Sequence, residues 1–271
     1  MRSSLFLLLL SINLFAIVLP ENTPYPGGVI VYEVESKTLP IVKHNKRQLM
    51  VLPAGKGKYT VIAGVGLTQK VAENYPLSIT SHKKVTSHVV LLKDKSYKKQ
   101  YINIKNKRKV SPKKMDMKRI NSESARSKKA LARFSGQKFI SLDMIKPVDV
   151  AIKDDFGKRR YFNNKPRRPH SGVDMPAPIG TPILAPLGGE IVEIGNFFFN
   201  GNVIFIDHGL GLVSMYCHMS KFDVTRGQLV KKGQKIGEVG KTGRVTGPHV
   251  HWGVSLNGAM VDPRLFFVKK K

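Results

Sequence analysis

From Pro182 to Val254 the sequence runs in short apolar or alternating segments, separated by glycine-rich or polar turns. Pro182-Ile183-Leu184-Ala185, Gly189-Glu190-Ile191-Val192, Asn202 to Ile206, Leu212 to Tyr216, Lys235 to Val239 and His249 to Val254 all have strand length. No run in this region repeats its apolar residues at helical spacing. Such a pattern predicts antiparallel strands with tight turns, hence an all-β domain from about residue 141 to residue 271.

The preceding chain divides in two. Over residues 21–104, apolar runs recur at Val29–Tyr32, Leu49–Leu52, Tyr59–Ile62 and Val89–Leu92, punctuated by Pro26-Gly27-Gly28 and by Pro53 to Gly57. These predict a small antiparallel sheet or sandwich. Residues 93–133 then carry 16 Lys or Arg against three acids. Ser111-Pro112 is read as the start of a helix, with Pro at the first helical position. Ile120, Leu131 and Phe134 supply only a thin apolar stripe. Residues 105–140 are thus expected to be a basic linker with a helical portion, ending near Gly136. The fold class is mostly β: a C-terminal antiparallel β-sheet domain, a β-sandwich-like N-terminal domain and the linker between.

Charge narrows the partners. The formal net charge is +28, of which +20 falls in the first 140 residues. A field of this sign attracts polyanions. No RNP, zinc-finger or helix-turn-helix pattern accompanies it, so nucleic acid is not expected. Anionic envelope polymers, met through the basic linker, are the alternative. Arg2 precedes an apolar run from Leu5 to Leu19, ended by Pro20. The run is shorter than the roughly 20 residues of a membrane span and has the layout of a secretory signal over residues 1–19. The protein is therefore expected to be exported, periplasmic or secreted, touching a membrane only if the signal stays uncleaved. The single cysteine, Cys217, excludes an intramolecular disulfide.

Four residues stand out chemically. His249 and His251 sit two apart in a strand, so both rings reach one face while Val250, Trp252 and Val254 take the other. His170 and Asp174 occupy a polar turn in which Gly172 permits a sharp bend. A His, an Asp and one further His are three N/O ligands, the pattern of a catalytic zinc site with its fourth position open. His218 adds a third histidine motif. Alternation through Met215-Tyr216-Cys217-His218 places Tyr216 on the same face as His218, lining the cleft, and sends Cys217 to the core. His208 is read as structural, and His44, His82 and His88 as ordinary surface residues. No H-E-x-x-H occurs, so proton handling falls to His218 and to whichever of His249 and His251 is not a ligand. The Asn196-Phe197-Phe198-Phe199-Asn200 loop is either a wall of the cleft or a contact with the N-terminal domain.

Taken together, H-x-x-x-D at 170–174, Tyr216 to Ser220 and Gly247 to Trp252 resemble the LytM/lysostaphin-type zinc metallopeptidases, which cut peptide bonds in bacterial peptidoglycan. The likeness covers about residues 140–268 and includes Asp155 to Arg159, Gly233 to Gly237 and Val261-Asp262-Pro263. Residues 26–104 look like the β-domain that precedes some of these peptidases. The resemblance implies that His170, Asp174 and His251 bind one Zn2+ per chain, that His218 and His249 are the catalytic histidines, and that peptidoglycan peptides are the substrate. It also implies a murein hydrolase, with a non-catalytic wall-binding module of the same fold as the alternative. A domain in front of such a site is expected to restrain it.

Overall fold

A computed structural model describes residues 17–136 and 142–267. All but the end of the expected signal segment lies outside these residues. Among the described residues no helix is long and apolar enough to cross a membrane, a statement about helices alone.

The N-terminal region is built from two antiparallel sheets. Strand Val29–Glu35 pairs with Lys58–Gly64, which pairs with Met50–Gly55. The second sheet runs Arg47–Gln48, Ile41–His44, Tyr75–Ser81, Lys84–Val90. Between them lie Ile30, Val34, Val42, Val61, Ala63, Tyr75 and Leu77. The other face of the first sheet, through Val29, Met50 and Ile62, joins the core of the C-terminal region with Val254, Leu256 and Val261. Being buried on both faces explains why Val29-Ile30-Val31-Tyr32 reads as an unbroken apolar run and not as an alternation. Gly64 lets the layers meet: a Cβ there would stand 2.7 Å from the Leu256 carbonyl oxygen.

The C-terminal region is organised on one antiparallel sheet, in the order Val173–Met175, Val250–Leu256, Leu212–Met219, Gly201–Gly209, Gly189–Phe197, Leu229–Val230. Its inner face carries Ile191, Ile204, Ile206, Leu212, Tyr216, Val250, Trp252 and Val254. Its outer face carries Val192, Val203, Phe205, Val213, Met215 and Cys217. A small sheet of Pro182–Leu184, Lys235–Glu238 and Lys221–Phe222 stands beside it.

The basic segment is not a loose connector. Strand Lys99–Ile102 pairs in parallel with Arg159–Phe162. A short helix α1, Lys107–Val110, follows, capped by the Asn106 side chain. Ser111 ends α1 and opens nothing; the longer helix α2 starts later, at Met117, after a 3-10 turn over Lys114–Asp116. Helix α2, Met117–Leu131, lies on the outer face of the large sheet, where Ala130 and Leu131 join the Val213, Met215 and Cys217 cluster.

Charge completes what its thin apolar stripe leaves short. Arg119 and Arg126 lie seven residues apart on α2, close to two full turns and so on one side of it, and Arg133 follows just past its end. Arg119 donates to the Asn196 carbonyl, Arg126 binds both carboxylate oxygens of Glu193 at 3.0 and 2.6 Å, and Arg133 reaches Asp207 at 2.7 Å and Glu190 at 3.2 Å. Glu123, from the same helix, accepts the Phe198 amide at 2.6 Å and Arg119 Nε at 2.6 Å. The arginines of this segment, Arg108 with Asp116 included, are therefore used inside the molecule.

Candidate metal centre

His170, Asp174 and His251 come together although 77 residues separate the last two in sequence. Register does this: Asp174 on Val173–Met175 is the direct partner of His251 on Val250–Leu256. His170 Nε2 stands 2.8 Å from His251 Nδ1 and 3.1 Å from Asp174 Oδ1, and His251 Nδ1 is 3.0 Å from that same oxygen. Donors on a tetrahedral zinc at ~2.0–2.1 Å stand roughly 3.3 Å apart, so these three atoms are already arranged about one point. Two imidazoles and a carboxylate are donors suited to zinc, and the chemistry of the set fits it.

Neighbours fix the orientation of each donor. The Asp155 carbonyl accepts from His170 Nδ1 at 3.0 Å, which leaves Nε2 to the cluster. Arg160 Nη2 holds the second oxygen of Asp174, Oδ2, at 2.8 Å, which leaves Oδ1. Supports of this kind set the tautomer and direction of metal ligands. Burial works to raise the Asp174 carboxyl, but hydrogen bonds from His170 and His251 outweigh it and hold the group well below 3.8. Burial pushes His251 down to about 4, against the pull of Asp174. Burial works to lower His170, but Asp155 and Asp174 outweigh it and hold its ring above 6.5.

Gly172 does not serve as a left-handed bend. Its requirement is space: a Cβ there would lie 2.4 Å from the Trp252 carbonyl oxygen and 2.7 Å from His251 Nε2. The glycine lets the turn close against the ligand strand.

His218 reaches the same site by a route that alternation does not predict. Asn202 pairs with Met219 and Ile204 with Tyr216, so one extra residue is inserted in the strand at Cys217-His218. His218 takes a left-handed φ of 68°, a conformation that costs about 1–3 kcal/mol in a non-glycine residue. Its amide is anchored on the Asn200 carbonyl at 2.8 Å. The bulge turns His218 onto the outer face together with Cys217 and Met215. Tyr216 is correspondingly not in the cleft. It is fully buried on the inner face, its hydroxyl 2.8 Å from Ser214 Oγ. Cys217 is buried, as expected, but beneath α2, where burial raises its thiol to about 12 and removes it as a nucleophile.

His218 and His249 face each other with ring centroids 4.9 Å apart. His218 Nδ1 donates to the Thr242 carbonyl at 2.8 Å, and His249 Nδ1 donates to the Gly247 carbonyl at 2.9 Å. Burial, with His249 and His251 nearby, pushes His218 down to about 3, so its ring is neutral. His249 Nε2 is 3.7 Å from Asp174 Oδ1. All five residues singled out in the sequence therefore share one site. Arg160 and Thr242, which orient it, carried no spacing signal.

A cavity of about 710 Å³ opens on His170, His218 and His251, roofed by α1 and α2 and walled by Phe197 and Phe199. Of the two roles open to the triple-phenylalanine loop, it takes the first, a wall of the cleft. Its other contacts are with the linker helices, Lys109 Nζ lying over the Phe198 ring, and not with the N-terminal β-domain among the contacts of the described residues. His208 lies elsewhere, fully buried, between the Gly188 carbonyl at 2.8 Å and Ser214 Oγ at 2.7 Å.

A protein of Pseudomonas aeruginosa assigned to peptidase M23, known from a crystal structure, superposes on this chain with a TM-score of 0.75 at 37% identity, over 90% of this chain and 95% of that one. The chain belongs to peptidase family M23. The profile of Peptidase family M23 matches residues 168–263, and that of the M23 N-terminal domain matches residues 22–95. Over 119 residues, 43% of this M23 chain, it is 41% identical to the peptidoglycan DD-endopeptidase ShyA of Vibrio cholerae. Over 116 residues it is 40% identical to the DD-carboxypeptidase/endopeptidase Mpg of Neisseria meningitidis. These matches span 28% and 27% of the two curated relatives.

Proposed function

We propose that this protein is an exported, zinc-dependent endopeptidase that hydrolyses peptide bonds in the stem or cross-bridge peptides of bacterial peptidoglycan. One observation carries the reading: His170 Nε2, Asp174 Oδ1 and His251 Nδ1 converge beside a facing pair of histidines, His218 and His249. The names of the Vibrio and Neisseria relatives support the wall peptide as substrate.

In this reading His170, Asp174 and His251 hold zinc. Bound zinc supplies Lewis acidity, polarising a peptide carbonyl and making water nucleophilic near neutral pH. The chain's own residues do the rest. His218 and His249 each donate an Nδ1 hydrogen bond to a backbone carbonyl, which leaves Nε2 of each ring as the atom turned to proton exchange in the site. One Nε2 takes a proton from the attacking water and, as an imidazolium, hands that proton to the leaving amine; the other donates to the developing oxyanion only when it enters the step already protonated at Nε2. Arg160 keeps Asp174 turned toward the donor cluster, and α1, α2 and the phenylalanine loop limit water in the cleft.

The test is digestion of purified peptidoglycan followed by mass analysis of the muropeptides. Chelation, and separately His170→Ala, His218→Ala and His249→Ala, should each abolish product. Undiminished cleavage in those proteins would sink the proposal, and binding without turnover in the zinc-loaded protein would make the chain a wall-binding module instead. N-terminal sequencing of the envelope-associated protein tests export, an intact Met1 in cytosolic material being the contrary result.

A further inference from the structure

The cleft beside the donor cluster is strongly cationic. Lys128, Arg160, Arg167, Arg168 and Arg244 line it, against the single acid Glu123, which is engaged by Arg119 and the Phe198 amide. Arg160 is neutralised by Asp174 and Asp155. Arg167 and Arg244 form no ion pair with an acid among the described residues.

Arg244 is held with particular care. Its guanidinium lies 4.5 Å from the ring centroids of both Phe162 and Phe199. Aromatic faces grip the flat of a guanidinium and leave its N–H edge free for hydrogen bonds. Among the described residues that edge meets one acceptor, the Lys109 carbonyl, in a long contact of 3.5 Å. Arg167 Nη2 donates to the next carbonyl, that of Val110, at 2.6 Å, and its Nη1 to the Pro166 carbonyl at 2.8 Å. Two adjacent backbone oxygens from the end of α1 therefore sit on two guanidinium forks. Neutral carbonyls leave the charge uncompensated: burial, with Arg167 and Arg160 nearby, pulls Arg244 down to about 10, though it stays cationic at neutral pH. Two planar forks fixed near each other, facing backbone carbonyls and no protein carboxylate among the described residues, are matched in shape and charge by a carboxylate.

We propose that Arg244 and Arg167 form a carboxylate-binding subsite that seats a free carboxylate of the substrate peptide next to the donor cluster, in the place now taken by the Lys109 and Val110 carbonyls. The subsite selects among wall peptides by their amidation state. It rests on the peptidase reading only for the identity of the ligand.

The experiment uses the full-length, zinc-loaded chain. A cross-linked stem-peptide dimer with free carboxylates is compared with the same dimer fully amidated. Affinity is measured by calorimetry in the His218→Ala background, where turnover is removed, and cleavage is measured separately with His218 intact. The free-carboxylate dimer should bind roughly 10- to 100-fold tighter, the range of a charge-assisted pair. Arg244→Gln and Arg167→Gln should each bring that ratio toward one. Arg244→Lys, which keeps the charge without the fork, should restore only part of it. Circular dichroism melts confirm folding, and Arg167, less enclosed by aromatic rings, remains informative if Arg244→Gln unfolds. Equal affinity for the two dimers, a ratio untouched by both variants, or no binding of either dimer would overturn the subsite. Selective binding without cleavage would leave the subsite standing and remove the peptidase reading. Cleavage of both dimers at one rate, with no difference in affinity, would do the reverse.

Discussion

His218 and His249 stand with ring centroids 4.9 Å apart, and each has its Nδ1 tied to a backbone carbonyl. Neither ring can turn without losing that bond, so the pair offers two Nε2 atoms in a fixed relation beside the ligand cluster. Removing either ring deletes proton handling while leaving the three donors in place. His218→Ala and His249→Ala should each lower kcat/KM on muropeptide dimers by about 10²- to 10⁴-fold. Zinc content, measured by mass spectrometry of the purified proteins, should stay near that of the unaltered chain.

Arg160 touches the ligand cluster only through Asp174 Oδ2. Arg160→Gln should weaken zinc binding by about 10- to 100-fold in a competition titration with a chromophoric chelator, the usual effect of losing a ligand's support. Gly172→Ala should do the same by another route. Its new methyl would collide with the Trp252 carbonyl and the His251 ring. Unchanged zinc affinity in both variants would contradict the support described for the cluster.

The Arg126–Glu193 pair ties α2 to the sheet. Glu193 is only 6% exposed, while Arg126 is 45% exposed. Solvent at the arginine discounts the pair below a fully buried one, so Arg126→Ala should cost on the order of 1–2 kcal/mol in urea unfolding. Burial tends to raise the Glu193 carboxyl, but Arg126 and the Ile194 amide prevail and hold it below 4.5. A depressed carboxylate contributes stability above its unfolded value. That contribution is lost as the pH falls from about 4.5 through the lower folded value. The Arg126→Ala penalty should therefore shrink in acid.

Burial pushes His208 down to about 4 from 6.5. The unfolded chain then binds a proton first as the pH drops, so this part of the stability is complete above pH 6.5 and lost by about pH 4. A full shift of this size corresponds to about 3 kcal/mol. Urea midpoints across that window should fall in the unaltered chain, and the slope should lessen by about one proton in His208→Gln. An identical slope in the variant would show that the loss arises at other histidines.

Chain pattern alone carried the strand-rich class of both regions, since period-two alternation and glycine turns are local properties. It also carried four of the residues that meet in the site, because H-x-x-x-D and H-x-H are spacings legible along the chain; His218 was marked only by the separate Tyr216 to Ser220 motif. The orientation of His218 was not legible. Alternation from Tyr216 points it inward, and only the inserted residue opposite Asn202–Ile204 turns it outward. The role of the basic segment was equally hidden. Arg119, Arg126 and Arg133 read as part of a charge run until the acids of the neighbouring strands are placed opposite them. Likewise, nothing local marks Arg244 as different from other arginines; Phe162, Phe199 and Arg167 become its neighbours only when distant segments pack together. Residue type and spacing thus determined which groups are available for chemistry, because those are set by the covalent chain. Tertiary structure decided which way they face and what they meet, because register, bulges and interlayer contacts depend on pairing between segments far apart in sequence.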